Sequence, residues 1–278
     1  MGGRVVILGC GASGGVPRPG GPDGAGEWGA CDPSEPKNRR TRCSILVQGF
    51  KTASDRAAAQ ATNVLVDTAP DMRQQLLAAH CAHIDSVFYT HDHADQCHGI
   101  DDLRAFALQM RRRIPVYIDP HTAQALLDRF SYCFKRPAGS FYPPILDNKV
   151  MPASGDTVRV DGPGGGVPCT PFHQDHGPVD SLGFRFGSVA YSSDVVGLPE
   201  ESFEVLAGVD VWIVDALQYE PHATHAHLDL TLEWIERVKP RLAVLTNLHI
   251  HMDYDALVSS LPSGVVPAYD GMTIEAEF

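Results

Sequence analysis

Ile84-Asp85-Ser86-Val87-Phe88-Tyr89 is a short apolar run that reads as a strand, and it leads into Thr90-His91-Asp92-His93-Ala94-Asp95-Gln96-Cys97-His98-Gly99. This stretch limits what the chain can fold into more than any other. Side chains two apart on an extended segment point the same way, so His91 and His93 can grip one metal ion. Asp95 falls at the next same-side position and adds a hard oxygen ligand.

One such run means little in a chain with 13 histidines; its company gives it weight. Pro171-Phe172-His173-Gln174-Asp175-His176-Gly177 ends a second apolar run with two histidines, Val189-Ala190-Tyr191-Ser192-Ser193-Asp194 ends in a carboxylate, and Val244-Leu245-Thr246-Asn247-Leu248-His249 ends in an amide and an imidazole. Four strand ends that each deliver His, Asp or an amide describe a metal site built at one edge of a β-structure.

The β-branched runs recur at 4–8, 43–48, 63–67, 84–90, 115–118, 182–192, 209–215, 241–246 and 272–278. Helical periodicity falls between them, at 71–82 with Met72, Leu76, Leu77 and Ala79 on one face, at 100–112, at 228–238 and at 253–261. Strands cluster first, then mix with helices, then recur. That order predicts an α+β fold, an αββα four-layer sandwich, in one domain spanning 1–278. Residues 51–62, polar and Ala-rich, read as an inserted hairpin tip.

Lys+Arg 22 against Asp+Glu 34 gives a net charge of −12, which argues against nucleic acid or an anionic membrane as partner. The basic run Lys37, Arg39, Arg40 and Arg42 still suits a small phosphorylated substrate, with Arg104 a further candidate, because guanidinium forks match phosphate geometry. Seven scattered cysteines without a Cys-x-x-Cys pair predict reduced thiols. No stretch approaches the roughly 20 apolar residues of a membrane span, and a cytoplasmic protein is expected. Gly9-Cys10-Gly11-Ala12-Ser13-Gly14 matches a dinucleotide fingerprint, but that motif must open a helix, and Gly15, Pro17, Pro19, Gly20 and Pro22 forbid one. The loop either turns the chain or brings backbone N–H groups close to a phosphate.

From end to end the chain resembles the metallo-β-lactamase-fold hydrolases, and more closely their PhnP-like branch, which includes phosphoribosyl cyclic phosphodiesterases. The resemblance rests on Gly9-Cys10-Gly11-Ala12-Ser13-Gly14-Gly15-Val16-Pro17, Asn38-Arg39-Arg40-Thr41-Arg42-Cys43-Ser44, Thr90-His91-Asp92-His93-Ala94-Asp95, Tyr191-Ser192-Ser193-Asp194 with Leu198-Pro199-Glu200, and Tyr269-Asp270-Gly271-Met272. It implies that His91, His93 and His176 hold a first metal and that Asp194 bridges to a second, served by Asp95 and by the positions of Gln96 and Asn247. Both of those are histidine in the family pattern. Amide oxygens are weaker zinc ligands than imidazole, so the second set favours manganese or magnesium, or stands empty. His98 and His249 are offset substitutes.

The resemblance also implies His225 as general acid on a leaving oxygen, Asp95 as the group that orients the attacking water or takes its proton, and a homodimer. The cysteine cluster of a structural zinc is missing, so no such zinc is expected. The implied reaction is metal-assisted hydrolysis of a small phosphodiester, cyclic or linear. Three alternatives stay open. A tRNase Z-like RNA hydrolase needs a basic docking surface. A mononuclear oxidoreductase, persulfide dioxygenase-like or PqqB-like, would carry iron and consume oxygen. A non-catalytic phosphate- or nucleotide-binding module would leave phosphodiesters intact.

Overall fold

The computed structural model describes residues 2–52 and 60–278. The hairpin tip expected over 51–62 falls mostly on 53–59, outside the described residues. One sheet has the order β14-β1-β2-β3-β4-β5-β6, where β1 is Gly2–Gly9, β2 Ser44–Phe50, β3 Thr62–Val66, β4 Ser86–Phe88, β5 Ile114–Ile118, β6 Leu146–Val150 and β14 Thr273–Glu277. The other has the order β13-β12-β11-β10-β9-β8-β7, where β7 is Val158–Val160, β8 Val167–His176, β9 Val179–Phe186, β10 Val189–Ser192, β11 Val211–Asp215, β12 Leu242–Thr246 and β13 Val265–Pro267.

Alternation along the strands builds the layers. In β1, Val5 and Ile7 point between the sheets with Ile45, Val47, Val64, Val66 and Phe88, where they meet Phe184, Phe186, Tyr191, Val211, Ile213 and Val244. The residues between them, Val6, Leu8, Leu46, Leu65 and Val87, point outward onto Met72, Leu76, Leu103 and Leu126. Those four belong to helices α1 (Met72–Ala78), α3 (Leu103–Met110) and α4 (Pro120–Phe134). On the second sheet, Ala190, Trp212, Val214 and Leu245 point outward onto Leu206, Leu228, Trp234 and Leu257, from α5 (Glu200–Leu206), α6 (Leu228–Val238) and α7 (Tyr254–Ser260). Both faces of each sheet are thus buried, which is why these strands read as unbroken apolar runs. The result is the expected four-layer α+β sandwich.

Two local expectations need correction, and two helices lie where the sequence raised no expectation. The run 182–192 is two strands, turned at Gly187 in left-handed backbone (φ 55). Leu77 is 62% exposed, and α1 buries Met72, Gln75 and Leu76 instead. Helix α4, the longest element, follows a signal that periodicity overlooks: Asp119 accepts from the backbone N–H groups of His121 and Thr122, and Pro120 starts the helix. Helix α5 likewise follows Pro199, with Glu200 and Glu201 in its first turn.

Strands β3 to β6 run parallel, as do β10 to β13. Parallel strands leave their carboxyl ends together at one edge, where loops can converge on a ligand. Among the described residues no helix is long and apolar enough to cross a membrane.

Candidate metal centre

The carboxyl ends of β3, β4, β8, β10, β11 and β12 deliver Asp67, His91, His176, Asp194, Asp215 and Asn247 in turn. His91, His93 and His176 face one another, with ring centroids 4.5, 5.0 and 5.2 Å apart. Each offers one nitrogen to a shared point, these atoms lying within 4.8 Å of one another. His93 caps a single helical turn, α2 (Ala94–Cys97), so Asp95 comes from the start of a helix. That corrects the extended reading of the motif. Gly99 ends the turn where a Cβ would lie 2.2 Å from the carbonyl oxygen of Ala69, so only glycine seats it there.

Tautomers follow from the partners. Asp67 accepts the backbone N–H of Thr90 at 2.8 Å and its hydroxyl at 2.9 Å. With its one proton spent on Asp67, Thr90 Oγ1 accepts from His91 Nδ1 at 3.0 Å. His91 Nε2 is left bare, buried and without a partner. His176 Nδ1 sits 2.6 Å from the Thr224 carbonyl oxygen, which can only accept, so Nδ1 carries the proton there too. Its bare Nε2 points at His93 Nδ1, 3.4 Å away. Burial, then the neighbouring His176 and His93, hold the His91 imidazole well below its usual range and keep it neutral. Neutral imidazoles with the far nitrogen tied to an oxygen are what a divalent cation requires. The residues present fit one such ion.

Asp194 lies beside this triad and belongs to a second group with His176 and His225. Burial raises the carboxyls of both Asp95 and Asp194, and each carries the charge of other carboxylates nearby. His225 donates from Nδ1 to Asp215 Oδ2 at 2.8 Å, and its Nε2 stands 3.9 Å from Asp194 Oδ1. Burial pulls the His225 imidazole down, but the charge and hydrogen bond of Asp215, with Asp194 and Asp95, outweigh it and bring it to about 9.

Neither amide turns its oxygen toward the Asp95 or Asp194 carboxylate. Gln96 points its Nε2 at Asp194 Oδ2 (3.1 Å) and at Asp95 Oδ2 (3.5 Å), leaving Oε1 buried without a partner. Asn247 turns Nδ2 toward His225 Nδ1 at 3.1 Å, and its Oδ1 faces the Cys43 thiol. His98 packs on Phe130 and His249 on His251, and neither belongs to a metal-holding group among the described residues.

Of the four candidate arginines, three are engaged by the protein itself. Arg40 is 2% exposed and donates to Asn38 Oδ1, the His249 carbonyl and the Cys31 sulfur. Arg42 pairs with Asp71 and Arg104 with Asp101. Arg39 lies over the Trp28 ring at 4.8 Å and makes no ion pair among the described residues. Trp28 packs on the small cluster of Val16, Cys31 and Ile250, and Ile250 stands three residues past Asn247, which places Arg39 at the site end of the sandwich.

Sequence reasoning missed the supports: Asp67, Thr90, Asp215 and the Thr224 carbonyl. It also missed Arg129 of α4, which grips Asp92 between the two histidines through the Asp92 carbonyl (2.5 Å) and carboxylate (2.6 Å).

The Beta-lactamase superfamily domain matches residues 62–250 of this chain, and a crystal structure of a new diphosphatase from the PhnP family is 30% identical, covering 99% of this chain and 98% of its own at a TM-score of 0.83. The chain therefore belongs to the beta-lactamase superfamily and, within it, to the PhnP family. Zinc-bound PqqB from Methylobacterium extorquens shares the fold at 19% identity and a TM-score of 0.66, over 98% of this chain and 99% of that one. Octanoyltransferase of Porphyromonas gingivalis (strain ATCC BAA-308 / W83) is 27% identical over 271 residues, 97% of this chain. The match takes in 51% of that protein, so the chain spans about half the length of the curated relative.

Proposed function

We propose that this chain hydrolyses a small phosphodiester with the help of a divalent metal ion held by His91, His93 and His176, with Asp194 beside them. The observation that carries the reading is the convergence of three imidazole nitrogens next to His225, itself hydrogen-bonded to Asp215. When bound there, such an ion would supply Lewis acidity toward a phosphoryl oxygen and lower the pKa of water toward about 7.

The remaining work falls to side chains. Asp95, raised by burial and by Asp194, orients the attacking water and accepts its proton. His225, an imidazolium at neutral pH, gives its Nε2 proton to the departing alkoxide, so a monoester and an alcohol leave. Asp215 holds the His225 ring in the donating orientation throughout. Arg39, whose guanidinium has no carboxylate partner among the described residues, is the proposed phosphate contact.

A second reading, cleavage of a diphosphate bond, is favoured by the PhnP-family diphosphatase. The chemistry is the same except that the departing group is a phosphate, which needs less help from an acid. Turnover of bis-p-nitrophenyl phosphate, compared with turnover of a dinucleoside diphosphate after zinc or manganese addition, tests both. Cleavage of the first alone supports the phosphodiesterase, and cleavage of the second alone supports the diphosphatase. No turnover of either, with metal bound, sinks both.

A further inference from the structure

Gln96 reaches both carboxylates that a second cation would need. Its amide nitrogen lies 3.1 Å from Asp194 Oδ2 and 3.5 Å from Asp95 Oδ2, between the two. A primary amide has two N–H donors and one acceptor oxygen. Here both donors face the carboxylates, and the oxygen, the only atom that could ligate, points into a buried place without a partner. Leaving a buried carbonyl unsatisfied costs about 1–3 kcal/mol, and charge-assisted bonds to two carboxylates offset that cost.

Asn247, the other amide of the set, is committed elsewhere. Its oxygen accepts from the Cys43 thiol at 3.8 Å, and its backbone is held at φ 61 after β12. Its nitrogen faces His225 Nδ1, whose proton goes to Asp215, so no hydrogen bond forms between them. Neither amide therefore presents a ligand atom to the Asp95–Asp194 pair, whereas the His91–His93–His176 triad brings three imidazole nitrogens together, those of His91 and His176 bare.

We infer that this chain holds one metal ion per molecule, at the triad, and that the Gln96 amide stands where a second ion would otherwise bind, joining Asp95 to Asp194 by hydrogen bonds. This rests on the metal reading of the triad and goes beyond it by fixing the stoichiometry and giving Gln96 a role as a positioning residue for Asp95.

The test is calorimetric titration of the chelator-stripped full chain with zinc and, separately, manganese, with elemental analysis of the loaded protein after gel filtration. One ion per chain is expected, rising to two in the Gln96→His, Asn247→His double variant. Should that variant fail to fold, the wild-type stoichiometry still decides, together with the Gln96 side-chain amide resonances. These should stay slow to exchange in the metal-loaded wild type, because both N–H groups are bonded to carboxylates. Two ions in the wild type would overturn the inference while leaving the hydrolase reading intact. No ion would overturn both. One ion without turnover would uphold the stoichiometry and remove the proposed activity.

Discussion

The carboxylate of Asp215 is fully buried at the end of β11 and accepts the Nδ1–H of His225 at 2.8 Å. The same oxygen also accepts the backbone N–H of Val195, at 3.1 Å. The His225 ring is thereby tied to β11, the strand next to the one that carries Asp194. His225→Ala should lower kcat by roughly 10²–10⁴ with metal content unchanged. The loss should be small for a p-nitrophenyl ester, whose leaving group needs no proton, and large for an alkyl ester. Equal losses on both substrates would remove His225 as the acid.

The same pair sets a pH dependence in the metal-free protein. His225 is raised from its ordinary value near 6.5 to about 9. A base raised on folding contributes stability that is complete below the unfolded value and is lost as pH rises through the folded one. Metal-free protein should therefore lose up to about 3 kcal/mol between pH 6 and pH 10 on this account. Urea midpoints of wild type and His225→Gln, compared at the two pH values, check it: the wild type should fall further than the variant.

Thr90→Val preserves shape but leaves Asp67 without its hydroxyl donor and His91 Nδ1 without its acceptor. Losses of this kind typically cost about 10–100-fold in metal affinity. Competition with a chromogenic zinc chelator measures it. An unchanged affinity would mean that the Asp67–Thr90–His91 chain does not fix the tautomer.

The arginines should separate by readout. Arg39→Ala should raise KM about tenfold with little change in stability, as expected when a charge-assisted phosphate contact is lost. Arg40→Ala should cost roughly 2–4 kcal/mol of stability, because Asn38 and the His249 carbonyl lose a buried charged donor. Arg104→Ala should do neither. Steady-state kinetics and thermal melts of the three variants suffice.

The sandwich was legible because its strands are buried on both faces and its ligand residues sit at their ends, so residue type and position coincide. His91, His176 and Asp194 stand at or just past strand ends for that reason, whereas the roles of His176 and His225 came only from the family resemblance. Their supports were not legible. Asp67 meets Thr90 from a neighbouring strand, Asp215 meets His225 across a loop, and Arg129 reaches Asp92 from a helix whose start is marked only by Asp119 and Pro120. A sequence records each of these polar residues without saying which one it will meet. Nor does it say which arginines the protein will use for its own frame, and Arg40 and Arg42 are so used. The amide orientations of Gln96 and Asn247 needed the surrounding acceptors to be in place.

Asp67, Asp194 and Asn247 each follow a strand in left-handed backbone, at φ 63, 53 and 61. A residue with a Cβ gives up about 1–2 kcal/mol in that conformation relative to one without. Glycine would rest there freely and would carry no oxygen to the site. At Asp194 the exchange would take a buried carboxylate away from Asp95 and Asp215, but also the nearer acceptor of the Gln96 amide and a charge that favours the His225 imidazolium. In the backbone of these strand ends durability and usefulness pull in opposite directions, and the retained side chains record which of the two this chain keeps.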